Sequence, residues 1–412
     1  GLDKAQDSIE EYLSEQLLSA NEVLLVMFHA GIGEDYGHQY LDPANYDISS
    51  AYIDEEMLSF IPEDSWMEQK NINKGILLPE SLNLIYYDTI EDIYGNVGED
   101  GLCDVQMGMT GLFAYLLGYE FGLPEMFDSN ANPGAGSFGL MDVGSFNVRG
   151  IIPSPPQAWT REKMGWDTFL ENDTDLHQRY SRFNNINNSA MIRKIDINQF
   201  EYYLLEVVSN RIFLDYSIDD IIDSINVNNR IEVFEIPDST SSLFGRLVHL
   251  DELNDKNPYN PNESEFYNTD IISYSNECSS DARITINPDT GVILCLSSYD
   301  YGLPGSGMLI WHINENNEDN INNDINNRTV SLVEADGSQD IGFPNNAWPL
   351  VEHPYGWKFD LWFDGNHKYY DGNPQELDIN FNSHTQPSTT DSNGASSYIA
   401  MENFQSETLD DI

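Results

Sequence analysis

The chain has 412 residues, of which 70 are Asp or Glu and only 18 are Lys or Arg, so its formal net charge is −52. A polyanion of this charge is repelled by nucleic acid and by anionic lipid, which excludes both as predicted partners. Apolar residues make up 40% of the chain, enough for a folded core, but they form no membrane-length run, so we expect no membrane insertion. The chain begins at Gly1 without a basic leader, and we therefore expect a processed form that has lost any export signal.

Helical and strand patterns alternate in the first part of the chain. Residues 7–20 carry apolar side chains at helical spacing, which predicts an amphipathic helix. Residues 22–28 form a continuous apolar run before a Gly-rich turn, and residues 75–87 form another, so each is predicted to be a strand. Apolar residues three and four apart then predict a helix over 104–121, which a glycine and a proline terminate.

The pattern changes beyond residue 166. Runs of β-branched and aromatic residues, separated by Asn, Asp and Gly, predict a mostly β second part of the chain. These runs are 200–208, 230–236, 282–296, 307–313 and 329–334. An Asn-Pro-Asp-Thr-Gly turn interrupts the run 282–296, which is therefore predicted to be a hairpin.

Only three cysteines occur, too few for a disulfide-built scaffold and not spaced as a CxxC metal site. Cys278 precedes the predicted hairpin, and Cys295 lies near its end. In an oxidising compartment we expect these two to form a disulfide, because the bond would close a loop of moderate length beside a turn. Cys103 would stay free. Three buried thiols are the alternative.

The most informative stretch is 111–128, at the end of the predicted helix. In zinc proteases with the pattern HExxHxxGxxH/D, two His one helical turn apart face the metal and the Glu polarises the water. A glycine then ends the helix, and a third ligand follows the turn. On that spacing, Tyr115 and Tyr119 occupy the two His positions, and Leu116 occupies the Glu position. Gly122 stands at the glycine that ends the helix, and Glu125 stands at the third-ligand position. The spacing matches the protease pattern, whereas the chemistry of the metal site does not.

This stretch resembles the immune-inhibitor-A-like secreted metalloproteases, whose motif runs HExGHxLGLPDLYD. Identical residues at matching positions are Gly118, Gly122, Leu123, Pro124 and Asp128. Segment 139–147 resembles the family's Met-turn, in which Met141 would lie beneath the metal. Further segments that resemble family motifs stand in the same order along the chain, namely 26–34, 158–166, 201–206, 307–313 and 332–342.

The resemblance implies an α+β fold, with a zincin-like, metzincin-type metalloprotease domain and a β-rich C-terminal half. We assign the zincin-like domain, with its degenerate active-site helix and Met-turn, to residues 1–170. The β-rich half, residues 171–412, would complete the family's catalytic unit. The resemblance also implies an extracellular protein that is secreted or held at the cell surface.

The absence of the metal-binding residues decides the predicted function. A Tyr phenol, with an unperturbed pKa of about 10, is a poor zinc ligand at neutral pH, and Leu116 has no proton to exchange. We therefore expect no catalytic residues and no zinc, with Tyr115 and Tyr119 stacked over Glu125 and Met141 in the former metal cavity. The predicted function is that of an inactive protease homologue, a binding, structural or assembly module. Its partner would be a protein, a peptide or another copy of itself. The alternative is an active metalloendopeptidase with an unusual ligand set.

Acidic loops in the second part of the chain point to a different ion. Clustered Asp and Asn oxygens are the hard ligands that Ca²⁺ prefers, so we expect calcium as a stabilising cofactor. None of the loops fits EF-hand spacing, and the alternative is a solvated acidic surface. The candidate ligands form three groups along the sequence: Asp319, Asn322 and Asp324; Glu334, Asp336 and Asp340; and Asp360, Asp364 and Asp371.

Overall fold

The structure is a computed structural model. It describes residues 23–36, 48–58, 74–82, 84–86, 103–105, 108–167, 169–170, 192–210, 233–234, 247–248, 272–278, 284–287, 293–296, 298–316, 321–343 and 353–404. The chain divides into two compact units, Gly1–Gly122 and Leu123–Ile412. The domain boundary at residue 170 stays a prediction, and the predicted helix over 7–20 lies outside the described residues. None of the described helices is long and apolar enough to cross a membrane.

The helices and strands are short in both units. In the first unit they are β1 (Leu25–Ile32), β2 (Ala51–Ile53), α1 (Glu55–Leu58), β3 (Gly75–Ser81), β4 (Leu84–Tyr86), β5 (Cys103–Val105) and α2 (Thr110–Glu120). In the second unit the described α-helices are α3 (Ala158–Lys163) and α4 (Tyr369–Gly372), and short 3-10 helices include Lys358–Asp360. Its strands are β6 (Phe169–Leu170), β7 (Ile192–Asp196), β8 (Glu201–Val208), β9 (Val233–Phe234), β10 (Leu247–Val248), β11 (Ile272–Tyr274), β12 (Ile284–Ile286), β13 (Ile293–Leu296), β14 (Gly307–Asn314) and β15 (Val330–Leu332).

A three-stranded sheet in the order β1-β3-β2 packs against helix α2 in the first unit. Strand β1 runs parallel to β3, and β2 runs antiparallel to it. Side chains from β3, from the residue after it and from α2 form one buried apolar cluster of Ile76, Leu78, Leu82, Leu112 and Leu116. The strand predicted at 22–28 is thus confirmed as β1, while the strand predicted at 75–87 is divided into β3 and β4.

Helix α2, which carries the protease-like spacing, is shorter than predicted. The prediction that it starts at residue 104 is wrong, because residues 103–105 pair with β4 as strand β5. Its predicted end is confirmed. Gly122 has a positive φ of 74° and donates its N–H to the carbonyl of Tyr119 at 3.0 Å. Because glycine adopts this left-handed conformation without a Cβ clash, it determines where the helix stops.

The second unit is built on a five-stranded sheet in the order β15-β14-β8-β7-β6. Neighbouring strands are antiparallel except for β6 and β7. Strands β8 and β14 pair along their whole length, from Gly307 opposite Val208 to Asn314 opposite Glu201. Most residues of both strands are buried, as is typical of strands covered on both faces. The strands predicted within 200–208, 307–313 and 329–334 are therefore confirmed.

The two faces of β8 pack against different parts of the second unit. On one face Tyr203 joins a buried aromatic cluster with Trp362, Tyr369 and Phe381 from the C-terminal region. The ring centroids of Trp362 and Phe381 lie 5.0 Å apart. Alternate residues of a strand point to opposite faces, and the other face of β8 packs against α3. The sheet is therefore the middle layer of this unit.

A buried ion cluster joins α3 to the central strand. Arg161 donates from Nε to Asp167 Oδ2 at 2.7 Å and from Nη2 to Glu206 Oε2 at 2.6 Å. Trp311 Nε1 donates to the other oxygen of Glu206 at 2.7 Å. The three charged side chains are at most 9% exposed, so the two carboxylates depend on the guanidinium to compensate their charge.

The predicted hairpin and disulfide are both confirmed. Strands β12 and β13 pair antiparallel, with Thr285 opposite Cys295. Cys278 and Cys295 form a disulfide, with their Cα atoms 5.8 Å apart. The alternative of three buried thiols is therefore wrong. The side chain of Cys103 lies outside what the structure describes.

Replacing Arg161 with Met tests how strongly the ion cluster stabilises the second unit. We expect Arg161→Met to lower the free energy of unfolding by about 3–5 kcal/mol, because two buried carboxylates lose their cation. Urea unfolding followed by tryptophan fluorescence measures this, since all but one of the tryptophans lie in the second unit. As a control, Lys163→Met removes an exposed cation from the same helix and should cost less than ~1 kcal/mol. Equal losses for the two variants would contradict the prediction.

Candidate functional site

Helix α2 places the two tyrosines at the predicted metal-ligand positions one turn apart on the same face. The hydroxyls of Tyr115 and Tyr119 lie 2.8 Å apart and form a hydrogen bond. Their rings meet edge to face, with centroids 5.2 Å apart. Tyr52 of β2 stacks on Tyr119 at a centroid distance of 5.9 Å. The two phenols at the ligand positions therefore bond to each other within an aromatic cluster.

The residue at the position of the protease glutamate faces the interior of the first unit. Leu116 is only 4% exposed and belongs to the apolar cluster between α2 and β3. A carboxylate at this position would be surrounded by Ile76, Leu78 and Leu112, where it would lack the solvation that an ionised group needs. Position 116 therefore holds a packing side chain that cannot take or give a proton.

A polar network next to the tyrosines was not predicted from the sequence. Lys74 forms an ion pair with Glu120, and the Tyr52 hydroxyl donates to Glu120 Oε2 at 2.8 Å. Burial and the bond to Glu120 raise the pKa of Tyr52 to about 12. Burial also acts to raise the pKa of Glu120, but hydrogen bonds from Lys74 and Tyr52 hold it below its ordinary value. Tyr52 lies in β2, Lys74 directly before β3 and Glu120 in α2, so no local sequence pattern groups them.

The other two residues predicted for the protease-like site, Glu125 and Met141, belong to the second unit. Glu125 is exposed, whereas Met141 is fully buried and its carbonyl accepts the N–H of Met126 at 3.0 Å. The expected stacking of Tyr115 and Tyr119 over these residues stays a prediction.

Asp142, beside Met141, holds the predicted Met-turn segment together. Its Oδ2 accepts the backbone N–H groups of Gly134 at 2.8 Å, Ala135 at 2.7 Å and Gly136 at 3.2 Å. Its Oδ1 accepts the N–H of Val143 at 2.7 Å. Burial raises the pKa of Asp142 to about 6, and these four N–H groups oppose that rise. The carboxylate thus ties residues 134–136 to the segment after Met141 through backbone hydrogen bonds.

Three of the predicted calcium ligands come together in the second unit. Glu334, Asp336 and Asp360 each offer a carboxylate oxygen, and these three oxygens lie within 4.8 Å of one another. Glu334 and Asp360 are buried, and Asp336 is half-buried. We call these three residues the acidic triad. Asp340 is close enough for its charge to affect the pKa of both buried members. The triad combines residues from two of the three groups that the sequence suggested.

The remaining calcium candidates have different surroundings. Asn322 is buried and forms two hydrogen bonds with the backbone of Val330, through Nδ2 at 2.8 Å and Oδ1 at 2.9 Å. Asp324, Asp364 and Asp371 are exposed. Asp371 pairs with Lys368 at 3.3 Å. Asp319 lies outside the described residues. Calcium binding at these positions stays a prediction.

No family model, no curated protein and no solved structure matches the chain. The resemblance to the immune-inhibitor-A-like metalloproteases therefore depends on the motif residues of the chain itself, and the zincin fold stays a prediction.

Substituting Glu at the position of the protease glutamate tests the orientation of helix α2. We expect Leu116→Glu to lower the stability of the first unit by about 3 kcal/mol or more, because it buries an unpaired carboxylate among aliphatic side chains. Hydrogen exchange of the α2 amides, measured by mass spectrometry, gives the opening free energy. Phe113→Glu is the matched control, since Phe113 lies on the same helix with its side chain exposed. Similar protection in the two variants would show that Leu116 does not face the core.

Proposed function

We propose that this protein is a catalytically inactive homologue of secreted metallopeptidases that serves as an extracellular binding or structural module. The observation that carries the proposal is the hydrogen bond between the Tyr115 and Tyr119 hydroxyls at 2.8 Å. These are the two positions at which the protease motif places its zinc-binding imidazoles. The two phenols thus bind each other at the positions where the protease motif has its metal ligands.

The chemistry at the three motif positions supports the same conclusion. A phenol binds zinc well only as a phenolate, and its ordinary pKa of about 10 keeps it protonated at neutral pH. Leu116 is buried in the apolar cluster and offers neither a ligand atom nor a general base. A hydrolytic zinc site needs ligands, a bound water and a base to take the proton of that water. Positions 115, 116 and 119 supply none of the three.

Two features support an extracellular location. The disulfide between Cys278 and Cys295 is a bond that persists in oxidising compartments and is rare in the cytosol. The motifs that resemble the secreted protease family stand in the same order along the chain.

The net charge bears on the class of partner. With a net charge of −52, the protein repels nucleic acid and anionic lipid. Its partner is accordingly a protein, a peptide or a second copy of the chain.

Metal analysis and peptidase assays of the full chain test this proposal. We expect no zinc after purification and no cleavage of casein or gelatin at neutral pH. The double variant Tyr115→His/Tyr119→His should gain zinc binding, because imidazoles at i and i+4 share one helix face. It should remain inactive, because position 116 is still Leu.

Two results would contradict the proposal. Stoichiometric zinc in the natural protein, with chelator-sensitive peptidase activity that Tyr119→Phe abolishes, would support the alternative of an active metallopeptidase with an unusual ligand set. A folded double variant that takes up no zinc would show that residues 115 and 119 are not aligned with the metal-binding positions of the protease motif.

A further inference from the structure

We propose that the acidic triad of Glu334, Asp336 and Asp360 binds one Ca²⁺ ion, which fastens the loop after β15 to the 3-10 helix Lys358–Asp360. The proposal concerns residues of the second unit alone and does not rest on the proposed loss of peptidase activity.

The spacing of the carboxylate oxygens fits a single calcium ion. Calcium binds oxygen ligands at about 2.3–2.6 Å, so two oxygens on the same ion lie at most about 5 Å apart. One oxygen from each of Glu334, Asp336 and Asp360 satisfies this limit, because the three lie within 4.8 Å of one another. The carboxylates therefore need no rearrangement of the backbone to share an ion.

A second observation is independent of this clustering and concerns one buried oxygen. Asp360 is only 1% exposed, and its Oδ1 has no hydrogen-bond partner within the part of the chain that the structure describes. Its Oδ2, in contrast, accepts the N–H of Trp357 at 2.7 Å. A buried carboxylate oxygen without a donor is strongly destabilising, and native proteins rarely leave one so. A bound cation would satisfy this oxygen.

Hydrogen bonds already hold the other two carboxylates in position. Glu334 Oε2 accepts the N–H of Asp340 at 2.7 Å, and its Oε1 accepts that of Ile341 at 3.1 Å. Asp336 Oδ1 accepts the N–H of Ser338 at 2.9 Å, and its Oδ2 accepts Trp357 Nε1 at 2.8 Å. The Ser338 hydroxyl also donates to Glu334 Oε2 at 3.4 Å and to Asp336 Oδ1 at 2.7 Å. Glu334 Oε1 and Asp336 Oδ2 each accept a single bond, which fixes the direction of the carboxylate and leaves a lone pair, as do the supporting bonds around metal ligands in proteins.

The electrostatics of the triad favour a divalent cation. The three carboxylates take part in none of the ion pairs between described residues. Arg328 is near enough to feel the charge of Glu334, but its guanidinium donates to backbone carbonyls, including that of Ile341 at 2.9 Å. The like charges are thus left to repel one another.

The donor set selects calcium among the common divalent ions. All three groups are hard carboxylate oxygens, and no His or Cys is part of the triad, which disfavours zinc. Three protein oxygens leave several positions for water, and the half-buried Asp336 gives water access to the ion. Calcium tolerates such an irregular shell of six to eight oxygens, whereas Mg²⁺ demands a compact octahedron.

The position of the triad explains what the ion would stabilise. The N–H of Ala335 already bonds the carbonyl of Asp360 at 3.0 Å, so the two ligand segments meet beside the site. Ala335 and Val333 belong to the same buried cluster as Trp362 and Tyr369. An ion held between these segments would therefore fasten the C-terminal region to the sheet at the edge of the main core.

Thermal melts of the chelator-treated full chain test the proposal. We expect 1 mM Ca²⁺ to raise the melting temperature by about 5 °C or more over NaCl of the same ionic strength, and Mg²⁺ to raise it much less. Asp360→Asn keeps the shape of the side chain and removes its charge, so it should abolish the calcium shift. Asp378→Asn, which changes an exposed carboxylate of the same unit that is not among the candidate ligands, should keep the full shift. Equilibrium dialysis should find one Ca²⁺ fewer per chain in Asp360→Asn than in the natural protein.

A purely structural role for Asp360 gives a different result. In that case Asp360→Asn would lower the melting temperature in the presence of chelator and retain the calcium shift, which would overturn the proposal. Equal melting temperatures of the natural protein in Ca²⁺ and in NaCl would also overturn it, as would an equal response to Mg²⁺. If Asp360→Asn fails to fold, Asp336→Asn provides the same test at a half-buried position.

Discussion

The constraint on which the rest of this structure depends is the burial of carboxylates in a chain that has few cations. With 70 acidic residues against 18 basic ones, lysine and arginine are too few to pair with every carboxylate of the chain. Three groups of buried carboxylates in the described part of the second unit illustrate how this charge is compensated. Arg161 forms ion pairs with Asp167 and Glu206, four backbone N–H groups donate to Asp142, and the acidic triad is compensated by calcium under our proposal. The pair of Arg161 with Glu206 and the acidic triad each join segments distant in sequence. An uncompensated charge in the core would cost several kcal/mol.

Helix α2 shows how one spacing can serve two purposes. Residues at i and i+4 lie on the same face of a helix, whether they bind zinc through imidazoles or form a hydrogen bond through phenols. In this chain Tyr115 and Tyr119 bond to each other, and Leu116 extends the core. Tyr52 connects these tyrosines to the ion pair of Lys74 and Glu120, because it stacks on Tyr119 and donates a hydrogen bond to Glu120. A helix that needs no metal to satisfy its polar groups can be retained for binding or for stability alone.

Much of the fold could be predicted from local patterns. The apolar run at 22–28, the β-branched runs at 200–208 and 307–313, and the glycine at 122 correspond to β1, β8, β14 and the end of α2. The disulfide was also predictable, because Cys278 and Cys295 flank a turn. The start of α2 was not predictable, because residues 103–105 fit a helical pattern but pair with β4. A strand partner some twenty residues earlier leaves no periodic signal in the sequence.

For the candidate sites, the sequence by itself determined residue types and their spacing along one element. It showed that the protease-like helix carries tyrosines and a leucine, and that the acidic loops are rich in hard oxygen ligands. Only the tertiary structure decided which side chains meet. The sequence grouped Asp360 with Asp364 and Asp371, whereas the structure brings it together with Glu334 and Asp336. The reason is that the loop after β15 folds against residues 357–360 at the edge of the core. Lys74 approaches Glu120 for a similar reason, since β3 packs beside α2. Contacts of this kind depend on long-range packing, which periodicity and local propensity do not encode.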